Sequence, residues 1–206
     1  MVSAGEALER LREGNRRFVA GVRSVESLIS HMRRVDLVGG QEPLAVILGC
    51  SDSRVPVEIV FDQGLGDLFV IRVAGNIVAP SQVGSVEFAA QRFGTRLVVV
   101  LGHTRCGAIQ ATVDSLLEPE EQQSQNLSSI VGRIRPSVEG LLRTGLRDDV
   151  GALTREAVRA NVRVAANALR HGSSILERLR HEGLRVVGAE YALETGEVDF
   201  FDASLD

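Results

Sequence analysis

The chain has no tryptophan, a single tyrosine and no lysine, so all 23 of its basic residues are arginine. Without a lysine amine, Schiff-base catalysis and the P-loop phosphate site are excluded. The lysine deficit itself reads as the codon bias of a GC-rich genome. Cysteine occurs only twice, at Cys50 and Cys106, too few for a disulfide framework. No apolar run approaches the roughly 18 residues that a membrane span needs. The first residues, with Glu6, Glu9, Arg10, Arg12 and Glu13, are too charged for a secretory signal. A cytoplasmic protein is therefore expected, in a compartment that keeps thiols reduced and favours metal ligation or catalysis over a Cys50–Cys106 disulfide. The net charge is −4, and the arginines form only small clusters such as Arg10, Arg12, Arg16 and Arg17. That distribution leaves no nucleic-acid footprint.

What is present is an ordinary globular composition, 44% apolar over 206 residues with mean hydropathy near zero, which predicts one domain over 1–206. Ser3 followed by Glu6 makes a capping box, and Leu8, Leu11, Asn15, Phe18 and Val19 continue at helical spacing up to Gly21. A second helix is expected over 25–35, completing an N-terminal helical arm over 1–35. The arm's apolar stripe has no sheet partner in sequence order, so it is expected to pack on a partner subunit. The turn Gly39-Gly40-Gln41-Glu42-Pro43 then leads into Leu44-Ala45-Val46-Ile47-Leu48-Gly49. That run and Leu97-Val98-Val99-Val100-Leu101-Gly102 are continuous rather than alternating, as in strands buried on both faces of a parallel sheet. With a strand over 67–73, helices over 83–93 and from about Cys106, and helices over 154–170 and 173–181, the pattern is α/β, a mainly parallel central sheet flanked by helices. A final strand pair is expected over 184–191 and 198–201. The polar segment 118–125 reads as an exposed connection.

Both cysteines directly follow the two buried runs, in Cys50-Ser51-Asp52-Ser53-Arg54 and His103-Thr104-Arg105-Cys106. Parallel strands deliver such segments to the carboxyl edge of a sheet, where ligands bind. Cys50, Asp52, His103 and Cys106 there make a tetrahedral donor set for one zinc ion per chain. If all four bind, the site is closed and the zinc structural; if Asp52 swings away, a fourth position is free for water. Arg54, just beyond Asp52, can hold the carboxylate in a bidentate pair and take it off the metal. Two thiolates already neutralise the dication, so further activation falls to Asp52, which can accept a hydrogen bond from the water. The N–H of Gly107, opening the next helix, can bond a developing oxyanion, and glycine allows close approach. His31, His171 and His181 lack ligand spacing and read as surface or helix-end residues.

C-S-D-S-R followed by H-T-R-C-G after such a pair of strands resembles the zinc signature of the β-class carbonic anhydrases, and the likeness runs from about Leu8 to Phe201. The resemblance implies reversible hydration of carbon dioxide to bicarbonate by zinc-bound hydroxide, and a homodimer, possibly a tetramer. It implies Cys50, His103 and Cys106 as constant ligands and Asp52 with Arg54 as the catalytic dyad. Gln41 matches a glutamine that reaches the neighbouring subunit's site and bonds bicarbonate. Phe69, Ala74 and Phe88 fall at positions lining the apolar pocket, Ala74 smaller than the usual valine and Phe88 in place of a tyrosine. Arg72 and Tyr191 correspond to members of a regulatory bicarbonate site whose tryptophan is here Ile47; Arg72 is otherwise expected in an ion pair. The competing readings are hydrolysis of carbonyl sulfide or carbon disulfide by the same centre, and a non-catalytic zinc protein that senses bicarbonate.

Overall fold

The computed structural model describes residues 2–24, 34–118 and 124–203. Helix α1 (Ala4–Val19) begins where the Ser3 hydroxyl accepts the Glu6 N–H at 3.2 Å. The Glu6 carboxylate bonds Arg10 rather than reaching back, so only half of the capping box is made. Strands β1 (Ala45–Gly49), β2 (Leu68–Arg72), β3 (Leu97–His103), β4 (Arg185–Tyr191) and β5 (Val198–Asp202) form one sheet in the order β2-β1-β3-β4-β5. The β1/β2, β1/β3 and β3/β4 pairs are parallel, and β4/β5 is an antiparallel hairpin with a bulge between Gly188 and Glu190. Every residue of β1 and β3 is buried, which is why their sequences are unbroken apolar runs.

The connecting helices are α2 (Val57–Val60), α3 (Pro80–Arg92), α4 (Gly107–Leu117), α5 (Gln125–Glu139), α6 (Val150–His171) and α7 (Ser174–His181). Valines and alanines of α3 and α6 with leucines of α7 cover one face of the sheet against Val46, Leu48, Val98 and Val100. The other face, Ala45, Ile47, Val99, Leu101 and Val187, is covered by Ala7, Leu8 and Leu11 of α1 and by Phe61. The α1 stripe, expected against a partner subunit, is thus buried on the sheet of its own chain. Asn15 on that stripe is satisfied by long-range partners, donating to Val60 O (3.2 Å) and Gly196 O (2.8 Å) and accepting from the Val198 N–H (2.9 Å). Most of the helix expected over 25–35, with His31, lies outside the described residues.

Helix α5 was not anticipated. Its sequence opens in a polar stretch read as connection and carries Pro136 inside, yet Ser124 caps it by accepting the Leu127 N–H at 3.2 Å. Ile134 and Val138 of α5 join Ile109 and Val113 of α4 and Leu153, Ala157 and Val158 of α6 in a third apolar cluster that encloses Cys50 and Cys106. Among the described residues no helix is long and apolar enough to cross a membrane.

Candidate metal centre

Because β1 pairs with β2 on one side and β3 on the other, chain connections diverge at the carboxyl ends of β1 and β3. That divergence opens the crevice where open α/β sheets bind ligands. Cys50 directly follows β1, His103 ends β3, and Cys106 caps the start of α4. Arg105 takes a left-handed φ of +54° in the turn that returns Cys106 to the crevice. The donor atoms of Cys50, His103 and Cys106 all lie within 4.8 Å of one another, and all three residues are buried.

The two sulfurs are 4.0 Å apart and unbridged. One thiol of the pair donates to the other, and either can be the donor; the sulfur that accepts is held below the ordinary thiol range and the one that donates is pushed above it. Backbone N–H groups face both, Gly75 and Asp52 at Cys50 and Ala108 and Ile109 at Cys106. The imidazole of His103 is fully buried, and its Nδ1–H donates to Thr104 O at 2.9 Å, which leaves the Nε2 lone pair free. That Nε2 is a buried nitrogen with no hydrogen-bond partner among the described residues. A buried acceptor left unpaired costs about 1–3 kcal/mol, whereas aimed between two sulfurs it completes a soft donor set. Zinc fits these residues.

Asp52 stands beside this trio. Its Oδ1 accepts the Arg54 backbone N–H and Nε–H, both at 2.9 Å, and its Oδ2 accepts from Nη2 at 2.7 Å. The side-chain bonds from Arg54 hold the carboxyl far below the usual carboxylate range. Oδ2 is 3.9 Å from His103 Nε2. Arg54 also donates to Arg105 O at 3.2 Å, tying the loop after β1 to the turn after β3.

A family model for carbonic anhydrase matches residues 45–198. The chain is 40% identical to carbonic anhydrase 2 of Mycobacterium tuberculosis over 190 residues, 92% of this chain and 89% of that one. It is 40% identical to a carbonic anhydrase of Mycolicibacterium smegmatis over 195 residues, 94% of this chain and 91% of that one. The chain belongs to the carbonic anhydrase family. Among solved structures, the β-carbonic anhydrase CafA of Aspergillus fumigatus aligns with a TM-score of 0.74 at 27% identity, over 85% of this chain and 84% of that one. The β-carbonic anhydrase CcaA aligns with a TM-score of 0.70 at 28% identity, over 93% and 86%. The carbonic anhydrase family uses zinc, in agreement with the donor set.

Not every residue expected in this carbonic anhydrase site lies near the three donors. Gln41 borders a cleft of about 310 Å³ with Pro43, Leu44, Phe93 and Thr95, at the amino end of the sheet. Phe69 is in register with Val46, at the near end of β1, and its ring stands 6.3 Å from Phe88 and 6.0 Å from Phe93. The three rings therefore form an aromatic cluster at the β2 edge, with Phe69 three residues before the carboxyl end of its strand. Ala74 opens the turn Ala74–Asn76 beside Cys50, and Gly107 is the first residue of α4. Among the described residues Arg72 makes carbonyl bonds and no ion pair, donating to Cys50 O (2.9 Å) and Asp52 O. Ile47 and Tyr191 are buried in the cluster under α1, and burial pushes the Tyr191 phenol up. His171 and His181 end α6 and α7, exposed as expected. Sequence reasoning missed Gly75 and Asn161: the Gly75 N–H donates to Cys50 Sγ at 3.3 Å and Asn161 donates to Gly75 O at 2.8 Å. The signal was the glycine three residues beyond the end of the second strand.

Proposed function

We propose that this carbonic anhydrase hydrates carbon dioxide reversibly to bicarbonate, with zinc held by Cys50, His103 and Cys106 and with Asp52 and Arg54 as the catalytic dyad. The observation that carries the assignment is the orphaned, buried Nε2 of His103 facing two sulfurs, next to a carboxylate gripped by an arginine. Zinc in that set supplies the Lewis acidity that makes water nucleophilic near neutral pH. Asp52 accepts a hydrogen bond from the attacking water and aims its lone pair. Its strongly depressed pKa makes it a poor proton acceptor, so its role is orientation, and the proton leaves to solvent. Arg54 keeps the carboxylate turned from the metal. In this reading the Gly107 N–H, the first of α4, bonds the oxygen on which charge develops. Ala74, in the turn beside Cys50, offers an apolar wall suited to an uncharged substrate.

We read 1–206 as one domain and the active unit as a homodimer. The support is the exposed edge of the sheet: β2 has one strand neighbour, and Phe88 beside it is 53% exposed. A second copy on that edge covers the aromatic cluster and gives Gln41, Phe69 and Phe88 a route to the partner's crevice. Free thiols at both cysteines support a reducing, cytoplasmic setting. Stopped-flow carbon dioxide hydration with metal analysis of the same sample tests the function. The expected result is activity proportional to zinc, saturating at one ion per chain. Full zinc without hydration would overturn it.

A further inference from the structure

We propose that Asn161, on α6, is a positioning residue for the metal centre, acting through Gly75 on the Cys50 sulfur. The inference rests on reading Cys50 as a metal ligand. Asn161 is 2% exposed, and its Nδ2 donates to Gly75 O at 2.8 Å. The N–H of the same glycine donates to Cys50 Sγ at 3.3 Å. One residue is thus gripped on its carbonyl by a helix and grips a ligand sulfur with its amide.

The turn between them does not hold itself in place by ordinary preference. Gly75 has φ +68° and Asn76, a non-glycine residue, φ +42°, both in the left-handed region that L-residues avoid. The Asn76 Nδ2 is buried without a partner, so it contributes no anchor. On the far side of Gly75 a Cβ would come within 2.7 Å of Ile134 Cδ1 and 3.2 Å of Ala108 Cβ, a snug apolar seat, and the turn's own bond, Asn76 N–H to Val73 O at 3.0 Å, closes it without engaging the Gly75 carbonyl. Asn161 holds that carbonyl. Among the described residues the sulfur is also faced by the Asp52 N–H, so releasing Gly75 leaves it one backbone donor fewer and a more electron-rich thiolate. Outer partners of this kind orient metal ligands and tune them.

The test uses nitrogen-15-labelled protein loaded with cadmium-113. A hydrogen bond to a cadmium-bound sulfur transmits scalar coupling, so the Gly75 amide proton of the unmodified protein is expected to couple to the metal. In Asn161→Leu, which keeps the side chain's shape, and in Asn161→Ala, both without a donor, that coupling is expected to vanish. The thiolate-to-metal charge-transfer band of the cobalt form should move to longer wavelength, and zinc transfer to a chelator should run on the order of tenfold faster. Bound cadmium with no Gly75 coupling in the unmodified protein overturns the inference, and so do folded variants whose coupling and band are unchanged. A purely structural asparagine lowers the melting temperature and moves neither signal. Failure of the underlying reading looks different: cadmium that does not bind, or whose own resonance shows no thiolate ligation.

Discussion

Replacing Gly75 with alanine perturbs the point where fold and metal centre meet. At φ +68° an L-residue costs about 1–2 kcal/mol. The new methyl would sit 2.7 Å from Ile134 Cδ1 and 3.2 Å from Ala108 Cβ. Ile134 is fully buried, so any shift of its Cδ1 is taken up by packed neighbours and overpacking adds about 1–3 kcal/mol. The expected loss is about 2–5 kcal/mol, a fall in Tm of roughly 4–20 °C for a chain of this size. Ile134→Val removes the atom in closest conflict and by itself costs about 0.5–1.5 kcal/mol. In the double variant the two changes should fall short of additivity by about 1–3 kcal/mol, while the left-handed cost remains. Thermal denaturation followed by circular dichroism, with zinc content measured in parallel, reads all three variants. A Gly75→Ala protein that melts with its parent, or strictly additive losses, would refute the packing argument.

Arg54→Ala removes both side-chain bonds to Asp52 and leaves the backbone one; zinc content should hold while hydration falls about 10- to 100-fold, and near-normal turnover would contradict the role of Arg54. The folded pKa of Asp52 lies below its unfolded value, so its stabilising contribution is complete above the unfolded carboxylate range and is lost as pH falls through the folded pKa. Acid denaturation of Asp52→Asn should therefore converge on the parent's only in strong acid, and a gap that opens near neutrality would be inconsistent. Leu11→Ala, in the stripe that α1 buries on its own sheet, should cost about 2–5 kcal/mol in denaturant unfolding. A change confined to the monomer–dimer equilibrium would restore the partner-packed arm.

The strand runs of β1 and β3 were legible because complete burial on two faces leaves no polar position to blur the pattern, and the metal centre was legible because both its segments abut those runs. Helix α5 was not: its opening residues are polar, its stripe is short, and Pro136 reads as a breaker although tertiary contacts hold it in a helix. The placement of α1 was misjudged because sequence order says nothing of which sheet face stays uncovered after the crossovers are laid down. Gly75, Asn161 and the carbonyl bonds of Arg72 escaped for a related reason. The links from Arg72 and Gly75 to the Cys50 segment, and from Asn161 to Gly75, run through backbone atoms, and a backbone amide or carbonyl has no sequence signature.

The central claim is that Cys50, His103 and Cys106 together hold the catalytic zinc. X-ray absorption at the zinc edge on active enzyme reads the donor set directly. Two sulfur neighbours at about 2.3 Å with nitrogen or oxygen at about 2.0–2.2 Å are predicted for the parent, and one sulfur or no retained zinc for Cys106→Ser. A parent spectrum with no sulfur shell, or a Cys106→Ser protein that keeps two sulfurs on zinc, would contradict the account.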